Sequence, residues 1–308
     1  MKITNELNLP QPIVTAVTQQ NYDPGPSDIT VTSLIDSPQV RKLKSEFEDH
    51  LVEDASMRVW ALFGDAIHQI LDDIPENKLV TNRLYLPVEI EVDGVAKVFT
   101  IGGLVDRCVL LKEENSIVLQ DYKTATTWEH IFGIKPDRER QLNLYALMIN
   151  TLTQYKVDRI EAVMLFKDWT ANQIERNANY PKRPVQIYEL PLWEQEQTLK
   201  YIEDRLLAHF YDEPTCTAEE RWEKNGTFRL MPEGYEAKTR ALRVTNTKQE
   251  MNDYLEWCKE HRPSVLKKNP IVVETPPVQV RCSKNSIGYS YCPVSEFCPQ
   301  WREIREQS

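Results

Sequence analysis

The sequence predicts a mixed α/β fold, a β-sheet core flanked by helices, and three observations carry that reading. Residues 102–123 hold two runs of alternating apolar character, residues 138–150 are apolar nearly all round, and residues 157–169 return to a strand pattern. Strand and helix periods therefore alternate along the chain, as a layered α/β core requires.

At 308 residues the chain can bury a substantial core, as one large or two modest domains. Its 41% hydrophobic and 27% charged residues describe an ordinary soluble protein. A net charge of -10 argues against a general nucleic-acid coat, so any grip on phosphate backbones has to come from local positive patches and bound metal. The opening MKITNELNLPQP has no apolar signal core, and no run reaches the roughly 18 apolar residues of a membrane helix. A cytoplasmic protein with no membrane contact is expected. No G-x-x-x-x-G-K-[ST] occurs, so no ATP motor is expected either. Six cysteines in a reducing compartment read as thiols or metal ligands rather than disulfides.

Taken in order, residues 1–28 are rich in Pro, Asn, Gln and Asp and broken by Pro24-Gly25-Pro26, so an irregular N-terminal arm is expected. Thr32-Ser33 caps a short helix before Ser37-Pro38 restarts the chain. Residues 55–74 repeat apolar side chains at helical spacing, Trp60, Phe63, Ile67, Ile70 or Leu71, and Ile74, with His68 one turn beyond Gly64. Residues 83–98 form a hairpin turning at Asp93-Gly94, on which Glu89 and Glu91 point the same way. Those two glutamates are either a solvated strand face or a source of a catalytic carboxylate.

In the next two runs each apolar face is continued by an acid. Leu104, Asp106, Cys108 and Leu110 share one face of the first; Ile117, Leu119, Asp121 and Lys123 share one face of the second, with Val118, Gln120 and Tyr122 opposite. Pairing the strands brings Asp106 near Asp121. Two converging carboxylates repel each other and are costly to desolvate unless a cation bridges them, and hard oxygen ligands suit magnesium or manganese.

After the strands, residues 124–136 read as a loop over the site carrying Trp128, His130 and Lys135. The following helix, about 138–150, places Gln141 and Tyr145 on one face, where buried polar groups need partners. Arg138 and Arg140 open that helix, and Lys167 ends the next strand. A proline-punctuated loop, an edge strand and a long helix from about 192 to 211 complete the core. The last third changes character, with a hairpin near Gly234, a helix near Gln249–His261, and a Cys-containing end, RCSKNSIGYSYCPVSEFCPQW.

Asp106 followed by Asp121-Tyr122-Lys123 resembles the core of the PD-(D/E)XK nucleases. Gln141 with Tyr145, spaced like a Q-x-x-x-Y helix, and Gly64 with His68, spaced like a G-x-x-x-H helix, are similar to the RecB-like branch. Any one of these patterns is common; all three in order, within about eighty residues, are far rarer by chance. Cys292 and Cys298, separated by five residues, look like the end of the C-x2-C-x5-C tail of iron-sulfur members, although the gap from Cys282 to Cys292 is nine residues instead of two and Ser37 stands where a cysteine often precedes a proline. The Cys-Thr-x-Glu-Glu-Arg-Trp stretch at Cys216 is similar to phage-encoded RecB-like proteins, which makes Cys216, Cys282, Cys292 and Cys298 the ligand set the resemblance implies for a 4Fe-4S cluster or zinc. Buried free thiols are the alternative.

The resemblance implies a restriction-endonuclease-like core over 29–212 and a mostly helical Cys-containing region over 213–308, packed on the core. It implies a magnesium- or manganese-dependent deoxyribonuclease, expected to be an exonuclease in phage DNA recombination or processing. DNA is the expected substrate, and a phage single-strand-annealing or single-strand-binding protein an expected partner. Asp106, Asp121, the Tyr122 carbonyl and His68 would ligate the ion, with Glu89 as an additional carboxylate; Lys123 would orient water or stabilise charge; Gln141 and Tyr145 would position substrate; Lys135, Arg138, Arg140 and Lys167 would contact DNA. Two other readings stand beside it: a catalytically inactive nuclease fold that binds DNA or protein, and a cysteine-clustered interaction module whose Asp-x-Lys strand is coincidence.

Overall fold

The computed structural model describes residues 1–18, 25–72, 74, 83–111, 115–236, 238–285 and 288–307. Its contacts divide the chain into two units, Met1–Pro214 and Thr215–Ser308.

The first unit opens with β1 (Lys2–Thr4) and α1 (Gln11–Thr18), where an irregular arm was expected. Val17 at the end of α1 is fully buried, which explains why this Pro- and Gln-rich stretch is ordered by packing that its composition does not reveal. Short β2 (Ile29–Thr30) leads into α2 (Val31–Ile35), capped by the Thr30 hydroxyl, which accepts from Ser33 N–H at 3.2 Å. Ser37 caps α3 (Pro38–Glu46), with Pro38 in the first turn where its missing N–H costs nothing. β3 (Val52–Asp54) pairs in parallel with β1, and α4 (Val59–Asp72) follows.

β4 (Leu84–Val92) and β5 (Val95–Gly103) form the expected hairpin. Val92 pairs with Val95 across Asp93-Gly94, whose φ values of 52° and 74° are those of a type I′ turn matched to strand twist. β2 adds to β5 in parallel, making a three-stranded sheet of order β2-β5-β4.

The second sheet holds the acids. β6 (Arg107–Leu110), β7 (Ser116–Ala125), β8 (Lys156–Phe166) and β9 (Val185–Leu190) lie in the order β6-β7-β8-β9. Only β7 and β8 are parallel, and such a pair needs a long crossover, here α5 (Thr127–Phe132) and α6 (Pro136–Leu152). α6 buries every residue from Gln141 to Ile149. It touches β4, β7 and β8 as well as α2 and α7 (Gln195–Phe210), so its all-round apolar surface is matched by neighbours on several sides. Ile117, Leu119, Ile160 and Met164 of the sheet join Leu142, Met148 and Ile149 of α6 in one core.

The second unit contains β10 (Glu223–Lys224), β11 (Phe228–Met231), β12 (Arg243–Thr245), α8 (Lys248–His261), α9 (Pro263–Leu266), β13 (Ile271–Glu274), β14 (Val278–Gln279) and α10 (Pro299–Glu306). Helical residues outnumber strand residues here, as expected, and among the described residues α8, α9 and α10 are accompanied by a three-stranded sheet of order β12-β11-β13 and the pair β10-β14. Thr247 and Glu250 form a complete capping box on α8. No helix among the described residues is long and apolar enough to cross a membrane.

Candidate active site

The site forms where β6 stops short of β7. Arg107 pairs with Gln120, so the next position outward sets Asp106 opposite Asp121. Asp106 lies in a bend rather than in the strand, and its Oδ2 accepts the Tyr122 N–H at 2.8 Å, standing in for a ladder partner. In an extended strand the N–H and C=O of one residue point to the same edge, so the Tyr122 carbonyl also faces the Asp106 side, beyond the end of β6. The first apolar run is thus not one strand. Gly102 and Gly103 belong to β5 in the other sheet, Leu104 and Leu110 are exposed, and only Cys108 of that face is buried.

Asp121 is 2% exposed, continuing the buried face of Ile117 and Leu119 as the alternation predicts. Lys123, two residues on along the same face, brings Nζ to 2.5 Å from Asp121 Oδ2. Oδ2 is buried, and beyond that ion pair it accepts no further hydrogen bond. Burial, more than any other influence, pushes the Asp121 carboxyl up to about 6; the nearby Asp106 charge adds to this, while Lys123 and Arg138 oppose it. For Asp106 burial is also the largest single influence and raises it, but contact with His68, the charges of His68 and Lys123, and the Tyr122 N–H together outweigh burial and hold it below the usual carboxylate range. The two acids are therefore driven apart in proton affinity by their surroundings.

His68 sits on α4 with Nδ1 3.4 Å from Asp106 Oδ1, and that contact, followed in importance by burial acting against it, leaves the imidazole above its ordinary value. Gly64, one turn back, lies against β7: a Cβ there would stand 3.5 Å from the Thr124 hydroxyl. The apolar stripe of α4, however, does not face the core. Trp60, Phe63 and Ile70 are exposed, as is Ile74 past the end of the helix, and Ile67 and Leu71 are half-buried, because the helix meets β7 through its Gly64 and His68 side.

Gln141 and Tyr145 are both buried, and each is the other's partner, with Gln141 Nε2 donating to the Tyr145 hydroxyl at 3.1 Å. Tyr145 packs against Gly103, where a Cβ would come within 2.7 Å of its Cε1, so the glycine at the end of β5 is what lets α6 approach the strand leading to Asp106. Glu89 is not brought to the acids. It is exposed, pairs with Val98, and lies five residues along β4 from Leu84, the partner of Gly103, a run of roughly 16 Å.

Of the basic residues nominated for DNA contact, Arg138 is held at 3.1 Å by the buried Glu129 and Arg140 at 3.0 Å by Asp137. Lys135 is exposed, and Lys167 reaches over the Trp60 ring. The stretch expected to be a loop, 124–136, contains α5, whose Thr127 N–H donates to Asp168 at 2.7 Å. Sequence reasoning missed Glu129 and Asp168 as the anchors of this helix; the Thr-x-x-Glu at 126–129, typical of a helix start, was the available signal.

In the second unit Cys216, Cys282, Cys292 and Cys298 are all buried. The Cys282 thiol contacts Cys292, and that contact, then burial, then the proximity of Cys292, Cys216 and Cys298, push it far up. Cys298 is also raised, chiefly by burial. Four thiols distant in sequence thus converge. Among the described residues, though, no three His, Cys, Asp or Glu side chains stand in a geometry that would itself enclose a metal ion. Hence neither the thiols nor His68 with Asp106 and Asp121 form a ready-made cage. The acid pair offers a different kind of fit: two hard carboxylates, one of whose oxygens is buried with only the Lys123 ammonium against it, and a strand carbonyl on the same edge.

A family model described as the PD-(D/E)XK nuclease superfamily matches residues 76–299, a span that includes both acids, Lys123, Gln141, Tyr145 and the four cysteines but not His68. No curated protein matches the chain. A solved structure titled "Crystal structure of SSO0001" is 17% identical, with a TM-score of 0.44, over 68% of this chain and 87% of that one.

Proposed function

The chain belongs to the PD-(D/E)XK nuclease superfamily, and from that premise we propose that it hydrolyses DNA phosphodiester bonds at the Asp106–Asp121–Lys123 site. The observation that carries this reading is the meeting of two carboxylates at one strand end, with the buried Oδ2 of Asp121 bonded to nothing but the Lys123 ammonium, an arrangement that a bound divalent cation would stabilise further. Asp106, Asp121 and the Tyr122 carbonyl would hold magnesium or manganese, with His68 orienting Asp106 from the α4 side. When bound, such an ion polarises the phosphoryl oxygen and makes hydroxide available near neutral pH.

The chain's own groups do the rest. Lys123, freed from Asp121 once that carboxylate is engaged elsewhere, points its ammonium along the same face and stabilises charge developing on the phosphorus oxygens. Arg138, fixed by Glu129, adds positive potential at Asp121 without leaving its place. Gln141 and Tyr145, bonded to each other behind β5, keep the floor of the site rigid.

The finer reading is an exonuclease in phage DNA recombination or processing, working beside a strand-annealing or single-strand-binding protein; its support is the resemblance of the cysteine pattern to phage RecB-like proteins. The same reading has the four converging thiols take up an iron-sulfur cluster or zinc. Digestion of end-labelled linear DNA and closed circular DNA with manganese tests it. Shortening of the linear DNA with circles left intact is expected; cutting of circles overturns the exonuclease, and absence of metal-dependent cutting of either overturns the nuclease.

A further inference from the structure

Four aromatic rings on the two helices beside the Lys123 end of β7 face water. Trp60 and Phe63 on α4 are 58% and 54% exposed; Trp128 and Phe132 on α5 are 61% and 74% exposed. Trp128 and Phe132, one turn apart, have centroids 5.0 Å apart and planes 6° from parallel. Trp60 and Phe63 lie 5.5 Å apart, and Lys167 Nζ stands 4.1 Å over the Trp60 ring. Single exposed aromatics are ordinary, whereas two close ring pairs, one with a cation over it, suit a ligand.

The rings are held in place. On the buried side of α5, the Thr127 N–H and hydroxyl donate to Asp168 at 2.7 and 3.1 Å, the His130 ring bonds the Tyr188 hydroxyl, and Glu129 grips Arg138. Both pairs also stand at the end of β7 that carries Lys123. Gly64 backs onto Thr124, Trp60 is one turn beyond Gly64, the Lys167 N–H donates to the Ala125 carbonyl at 3.0 Å, and α5 begins two residues after Ala125. Along α4, Trp60 lies about 12 Å from His68.

Rigid flat rings in water, with a lysine beside them, match the faces of nucleobases and the phosphates that join them. In a duplex those faces are already stacked, so only an unpaired strand can use the rings. We propose that Trp128–Phe132 and Trp60–Phe63 are stacking platforms for unpaired bases, with Lys167 on the adjoining phosphate, so that the site takes single-stranded DNA or a frayed end. This inference rests on the nuclease reading for the identity of the ligand.

The test is anisotropy of labelled 16-mers with the full chain in chelator, comparing oligo(dT) with an abasic strand carrying the same phosphates. Oligo(dT) is expected to bind at least about tenfold more tightly than the abasic strand, the difference vanishing in a Trp128→Ala/Phe132→Ala variant and shrinking in Trp60→Ala, while abasic binding stays unchanged. Equal binding of the two strands by the parent, or discrimination that survives both variants, overturns the platform. So does sedimentation showing a dimer that Trp128→Ala dissociates, since the rings would then serve a second copy of the chain. Because no cutting is required, a chain that discriminates without cleaving in manganese refutes the nuclease alone, and one that cleaves without discriminating refutes the platform alone.

Discussion

The two units each gather like groups that repel when ionised, and they handle the problem differently. In the first, Asp106 and Asp121 meet with cations around them: Lys123 on one, His68 on the other, Arg138 within reach. In the second, Cys282 is pushed up by its contact with Cys292 and then by burial, and Cys298 by burial first, so these two thiols are held toward the protonated form. The difference teaches what each would take up. A site of ionised oxygen donors with a lysine attached is poised to exchange a hard cation in water, whereas buried thiols must give up protons to bind a soft one and would hold it permanently.

The largest expected effect breaks the first cluster alone. Asp121→Ala should lower metal-dependent cleavage by at least about 10³-fold and Lys123→Ala by about 10²-fold, measured on end-labelled DNA. Neither should alter any iron or zinc content of the purified chain. Cys292→Ala sharpens the contrast from the other side. Elemental analysis should find iron or zinc in the parent and in Asp121→Ala but not in Cys292→Ala, and a parent free of both metals would reduce the second cluster to thiols.

The pH dependence is smaller and has a definite sign. Asp121 has a raised carboxyl, so its contribution to stability in the metal-free protein is present below its unfolded value near 4 and is lost as pH rises through about 6. Magnesium competes with that proton. The rise in melting temperature on adding magnesium should therefore be greater at pH 8 than at pH 5.5, and an equal rise at both would mean that the ion does not bind through Asp121.

How much of this was legible in the chain depends on what each residue's neighbours had to supply. The period-two face Ile117, Leu119, Asp121, Lys123 needs only its own strand, and the structure has it as read. The meeting of Asp106 with Asp121 needed one pairing, which the register provides, although the strand before it ends sooner than alternation suggested. α4 shows the limit. Trp60, Phe63 and Ile70 fall on one face by period alone, yet periodicity reports that a face exists and not what covers it, and here it faces water. The partners of Gln141 and Tyr145 were equally hidden, since two residues four apart can bond each other or reach outward.

The smallest expected effect concerns the floor of the site. Gly103→Ala puts a Cβ against Tyr145 and should cost about 1–3 kcal/mol by overpacking, read as a lower midpoint in urea, with a modest loss of cleavage as Tyr145 shifts. An unchanged midpoint would show that α6 does not depend on that close approach.

The central claim is that Asp106 and Asp121 share a hard cation. Titration of the parent, Asp106→Ala and Asp121→Ala with manganese, followed by electron paramagnetic resonance of the free ion, tests it most directly. Saturable binding in the parent that is lost in both variants is the predicted result; variants that bind manganese as tightly as the parent would contradict it.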